Sequence, residues 1–259
     1  MTTSWLDLLG AAFGGGLVVK VLDLLYMEYR RHRESSETAQ QIVNRHLDPV
    51  LKAADELVGK LRSLAEHDFV EFKHYPKLEN GLVANIELTN FLYLFGQFWA
   101  RVQILRSEGL YVNLAANESG KKLKSFLDAL ESRRVQVVDR PCQRGMGESL
   151  IQQRGNYLSA LTYHKFVQHY RSHTTIREWF LPLQNLIEQI RHTKHGQHLL
   201  IYGVVLHALI DTLDPKHLVT QDRPSWPNKL TKRSRRDLKF RLFKIYLPFV
   251  PNINKYVGQ

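Results

Sequence analysis

FLYLFGQFWA, residues 91–100, decides the fold class. It is apolar on every side of a helix, and it lies between Asn90 and Arg101. A bilayer span needs about 20 such residues, so ten cannot cross one. A helix that is hydrophobic all round and too short to span belongs in a protein core. The apolar pattern around it predicts a helix over roughly 84–107. A core helix needs companions, and they can be read on both sides.

Upstream, Asp48-Pro49 has the form of a helix start, an N-cap followed by proline at the first helical position. Val50, Ala54, Leu57, Leu61 and Leu64 then recur at 4-3-4-3 spacing, predicting an amphipathic helix to about residue 66. Pro76 and Asn80-Gly81 mark a linker. Downstream, Leu123, Phe126, Leu127 and Leu130 share one face of a helix near 119–133. VQVVD (135–139) reads as a brief strand, and RGMGESLI (144–151) as a new helix. Further helices are expected at 159–171, 175–192 and 197–213, with Pro182 a potential kink in the second. The last contains LLIYGVVLHALI, again too short for a span. Residues 214–228 hold three prolines and read as a loop. The expected architecture is all-α, a bundle of about six or seven helices.

The chain has 259 residues, 44% hydrophobic and 24% charged, which excludes intrinsic disorder and collagen-like repeats. Its single cysteine, Cys142, excludes a disulfide framework and a cysteine-based zinc site, and fits a reducing compartment. Lys and Arg number 36 against 25 Asp and Glu, a formal charge of +11.

WLDLLGAAFGGGLVVKVLDLLYM (5–27) is long enough as a helix, about 35 Å, to cross a hydrocarbon core of about 30 Å; a buried helix of a soluble fold is the alternative. Trp5 and Tyr26 stand near its ends, where amphipathic rings favour the interface. Lys20 can snorkel and has Asp23 one turn away. Around the helix Lys20 sits roughly 220° and Asp23 roughly 160° from Asp7, so no common polar face supports a surface-lying helix. Residues 1–4 carry no charged side chain, whereas EYRRHR (28–33) does. The positive-inside rule therefore puts the N-terminus outside and the bulk in the cytoplasm. Gly10 and Gly14 form GxxxG, which lets two spans approach closely, so homo-oligomerisation through this helix is one reading. The other is that small residues are common in spans.

The pieces DPVLKAADELVGKLRSL (48–64), LFGQFWARVQILRSE (94–108), QRGMGESLI (143–151) and LHALIDTLDP (206–215) resemble a widespread group of uncharacterised bacterial proteins. Members similarly join a Gly-rich anchor to a helical domain. The group has no assigned activity, so the resemblance transfers no functional residue. It implies a bacterial source, an inner-membrane location and the anchored-bundle layout.

Candidate chemistry is sparse. His169 and His173 would share a helix face, and His192, His195 and His198 are three apart. HxxxH here lacks the embedded Glu of a metalloprotease, so we expect no metal and no cofactor. His207 and Asp211 are four apart on the most apolar helix, with Asp214 ending it before Pro215. Such a pair can serve general acid–base catalysis or form a core hydrogen bond. Arg144 and Glu148 are expected to pair as a structural i,i+4 bridge. Cys142 has no His at helical spacing to activate it.

The strongest local signal is KLTKRSRRDLKFRLFK (229–244), eight Lys/Arg against one Asp, +7 of the chain's +11. Leu238, Leu242, Ile245 and Tyr246 would share an apolar helical face, with Phe240 and Phe243 nearby. Lys229, Lys232, Arg233, Arg235, Arg236, Lys239, Arg241 and Lys244 are the candidate contacts to a polyanion. Anionic lipid is the nearer one for an anchored protein, nucleic acid is the competitor, and a solvated helix face packed on the bundle, with no polyanion partner, is the remaining reading. The expected organisation is an anchor with its basic flank (1–33), a helical bundle (34–228) and a basic amphipathic segment (229–259). The leading reading is a membrane-anchored, cytoplasm-facing interaction or regulatory protein. An enzyme with a pocket at His207 and Asp211, and a membrane-tethered nucleic-acid-binding component of a defence or stress system, are the alternatives.

Overall fold

A computed structural model describes residues 16–73, 86–109, 117–155, 157–190 and 193–258. Among them seven helices have ten residues or more, joined by short helical turns and one two-stranded hairpin. The chain is therefore all-α in class, as the periodicities imply.

The first helix, α1 (Gly16–Glu66), runs unbroken for 51 residues. Val50, Ala54, Leu57, Leu61 and Leu64 are all buried on its inner face. Asp48-Pro49 does not start a helix: Pro49 lies inside α1. Proline leaves the carbonyl four residues back, at Arg45, without its amide partner but fits a helix whose other turns are held by packing. The Arg45 and His46 side chains reach Glu108 at 3.2 and 2.8 Å, tying this turn to the next long helix. A one-turn helix, α2 (Val70–Lys73), follows.

The deciding stretch lies in α3 (Ile86–Glu108). Phe91, Phe95, Phe98 and Trp99 are fully buried, as a core helix requires. Asn117 caps α4 (Glu118–Leu130), its side chain accepting from the Gly120 amide at 2.9 Å. VQVVD is not a strand. Residues 135–139 turn without a ladder partner, and Val135, Val137 and Val138 are simply buried. The helix α5 (Arg140–Ser149) begins there, with Pro141 in its first turn. Strands form instead at β1 (Ile151–Arg154) and β2 (Tyr157–Ala160), antiparallel with Arg154 opposite Tyr157.

Arg144 does not pair with Glu148 as expected. It turns to Glu131, making two contacts of 3.0 Å, and Arg106 reaches the same carboxylate at 2.7 Å. Burial alone would raise the Glu131 pKa, but the Arg144 and Arg106 guanidiniums outweigh it and hold the carboxyl low. The glycines of RGMGES have packing roles. A Cβ at Gly147 would lie 2.6 Å from the Trp99 carbonyl carbon, so only glycine lets α5 rest on the α3 backbone.

The helices α6 (Tyr163–Ser172), α7 (Thr174–Glu188) and α8 (Thr193–Leu213) complete the long elements. Pro182 lies within α7, which continues past it. Contrary to the expectation that this helix is too short, Lys194–Leu213 is the one described helix long and apolar enough to span a membrane; 72% of its most apolar window is buried inside the bundle, as in a core helix. Helices α3 and α8 both pack on α1. Phe95 and Tyr202 join α3 to α8 with ring centroids 5.5 Å apart. The loop after α8 folds back: Asp214 accepts from the Leu218, Val219 and Thr220 amides at 2.9–3.0 Å.

Candidate polyanion site

The basic stretch enters through a 3-10 turn (Pro227–Lys229) and a short helix, α9 (Lys232–Asp237), capped by the Thr231 hydroxyl on the Ser234 amide at 3.2 Å. A π-turn (Leu238–Phe243) and α10 (Lys244–Tyr246) follow, and after a loop α11 (Asn254–Val257). Leu238, Leu242, Phe243 and Leu247 are buried in the same core as α1, α3 and α8. The apolar face differs from the expected one. The wider π-turn adds a residue, seen where the Lys244 amide bonds the Lys239 carbonyl five back. Phe243 thereby takes the inward place, while Ile245 and Tyr246 are 62% and 46% exposed. Phe240 is 52% exposed.

Seven of the eight cations separate into two sets, and the eighth, Lys244, lines a neighbouring hollow. Lys229 is held by Asp68 at 2.9 Å and the Glu66 carbonyl at 3.4 Å. Arg233 and Arg241 flank Asp237 at 4.0 and 3.3 Å. Lys232, Arg235, Arg236 and Lys239 instead line a shallow pocket of about 290 Å³ with Val257 and Gly258. No Asp or Glu among the described residues lines it. Gly258, at φ +75°, carries the chain past Arg235 in a conformation that side chains avoid.

Lys239 also borders a second hollow of about 440 Å³. Its walls include Phe240, Phe243, Lys244, Asn252 and Asn254, above an apolar floor of Leu247 and Val250. The Lys239 ammonium lies 5.8 Å from the Phe240 ring centroid. Both volumes are in or near the range of small-ligand sites. Chemically the pair offers concentrated positive charge beside an aromatic and amide-lined cleft. The adjacency was not readable in advance, because Asn252, Asn254, Val257 and Gly258 return to the basic helix only through the final fold.

His207 and Asp211 come together, but as an internal clasp. His207 is buried, stacked on Trp226 at 5.7 Å and edge-on to Tyr256. Its Nε2 lies 3.6 Å from Asp211 Oδ1, too far for a hydrogen bond. Asp211 Oδ2 accepts from Lys255 Nζ at 2.7 Å and Tyr256 Oη at 2.6 Å. The expected core hydrogen bond is thus replaced by one to the chain's last turns. Burial pushes the Tyr256 phenol up, and Asp211 adds to it.

Burial also lowers the His207 pKa below 6.5, against the pull of Asp211 and with Lys255 and His217 assisting. An unfolded His207 takes a proton as pH falls below 6.5, whereas the folded one resists. Its contribution is therefore complete above pH 6.5 and is lost as pH falls through the folded pKa. The thermal midpoint should drop between pH 7 and 5, and His207→Phe should flatten that decline. An unchanged slope in the variant would assign the sensitivity elsewhere.

The remaining candidates scatter. The His169 and His173 rings meet at 5.3 Å, but α6 ends between them. His198 bonds the Gln136 carbonyl at 2.5 Å. No cluster of three metal-ligating side chains forms among the described residues. Burial raises the Cys142 thiol, with Asp139 adding to the effect. Gly10, Gly14 and His192 lie outside the described residues, as do residues 5–15 of the 5–27 segment. Comparison with protein-family models, curated proteins and solved structures finds no match to this chain.

Proposed function

We propose that this protein is a membrane-anchored, cytoplasm-facing helical interaction protein whose contact face is the carboxyl-terminal basic surface, engaging a polyanion. The observation that carries this reading is the pocket of Lys232, Arg235, Arg236 and Lys239 with no carboxylate among its lining residues. Charges kept only for solubility would have no reason to converge on one hollow. The segment bearing them is anchored in the core, so the surface is preorganised. The apolar run 5–27 and the basic cluster 28–33 supply the anchor and its orientation.

An anionic lipid surface is a second reading, favoured by the exposed Ile245 and Phe240 beside the cations. The catalytic alternative has little room, since His207 is buried between Trp226 and Tyr256 and Asp211 Oδ2 is taken by Lys255 and Tyr256.

The full-length protein in a neutral detergent should bind inorganic polyphosphate at low salt and release it as salt rises. A cytoplasm-dependent reporter fused after Gln259 should be active. Absence of polyphosphate binding at low salt would remove the proposed contact face, and a reporter working only outside would remove the orientation.

A further inference from the structure

We infer that the partner of this basic surface is single-stranded nucleic acid, its phosphates in the cationic pocket and a base stacked on the exposed Phe240 ring of the adjoining cleft. The inference rests on the polyanion reading above and names the partner for it.

Three observations choose a strand over a membrane. The first is composition of the cleft. Phe240 offers an exposed ring, Asn252 and Asn254 offer amides, and Lys239 and Lys244 stand at the rim. Amides suit base edges and are poor company for an acyl chain, where they would lose water without replacement. The second is adjacency. Lys239 lines both hollows, so phosphate and base sites follow one another as they do along a strand.

The third is height. Residue 28, where the basic flank begins, and Glu66 lie on one helix, about 57 Å apart at 1.5 Å per residue. Lys229 touches the Glu66 carbonyl, so the basic stretch enters at the far end of that helix from the anchor. Charge is screened within about 8 Å at physiological salt. Were α1 to stand along the membrane normal, the entry of the basic stretch at Lys229 would lie beyond the reach of the anchor's own leaflet, whereas a strand in solution meets no such limit. The spread of cations from Lys232 to Lys244 favours a polymer over a free nucleotide.

The test measures fluorescence anisotropy of the full chain in neutral detergent. The probes are a labelled oligothymidylate, the matching duplex, adenosine monophosphate as competitor, and phosphatidylglycerol vesicles. We expect single strands to bind most tightly, with a log–log salt slope of about −3 to −4 for five phosphate contacts. Phe240→Ala should weaken binding by about fivefold or more without changing the thermal midpoint, and Phe240→Trp should restore it. A Phe240→Ala protein that binds like wild type would overturn the stacking inference and leave the basic-face reading intact. Vesicle binding without strand binding would do the same in favour of lipid, and tighter duplex binding would show a phosphate surface without base contact. Competition by the mononucleotide at equal phosphate would replace the strand with a small ligand. Loss of all binding, polyphosphate included, would remove both readings together.

Discussion

Replacing Trp99 with Ala should lower the stability of the protein by about 3–5 kcal/mol. The indole is fully buried, edge-on to Phe98 at 5.4 Å and below the Arg106 guanidinium at 5.9 Å. Its own backbone is the seat of Gly147, so α5 cannot move inward to fill the space without a clash. A site that cannot collapse shows the upper part of the expected range. Urea unfolding of both proteins gives the difference directly. A variant as stable as wild type would mean that this face of α3 is not core.

The second large effect concerns binding alone. Substituting Gln for Lys232, Arg235, Arg236 and Lys239 together removes all four cations of the pocket. At about 1 kcal/mol for each charge near a polyanion, the loss is about 4 kcal/mol. That corresponds to roughly a thousandfold weaker dissociation constant. Gln keeps much of the aliphatic stem, and the buried anchors Leu238, Leu242 and Phe243 are untouched. The thermal midpoint should therefore stay near that of wild type while binding disappears. Retained binding would move the contact to Arg233, Arg241 and Lys244. Replacing the Asp237 pair, Arg233 and Arg241, should cost less, because those charges are already partly spent.

The helical faces were readable because their signal is local. Val50 to Leu64 and Leu123 to Leu130 repeat at the helical period, and each of those positions is buried. Where a second force competes, local signals misled. Pro49 reads as a boundary, yet packing on both sides of it carries α1 through. VQVVD has strand composition, but burial of its valines needs no ladder. The true hairpin, IQQR and YLSA, is polar enough to hide its pairing. The basic stretch was legible as charge and invisible as shape. Its π-turn moves Phe243 inward and Ile245 outward, and no repeat of three or four residues signals that. Asp211 gave away only its helical neighbour His207, since Lys255 and Tyr256 lie 44 and 45 positions along the chain.

The unbroken α1 also fixes an angle. A helix advances 100° with each residue, so its two ends are locked in rotational phase like the ends of a threaded rod. The amino-terminal end at Gly16 and the bundle gripping Val43 to Leu64 share that rod. One residue added between 28 and 42 would swing the basic face by about 100° and raise it by about 1.5 Å. Four would bring it to within about 40° of its bearing, about 6 Å further out. The length of this polar stretch is therefore a setting of direction before it is one of distance, and which side of the molecule meets its surroundings is written in a residue count.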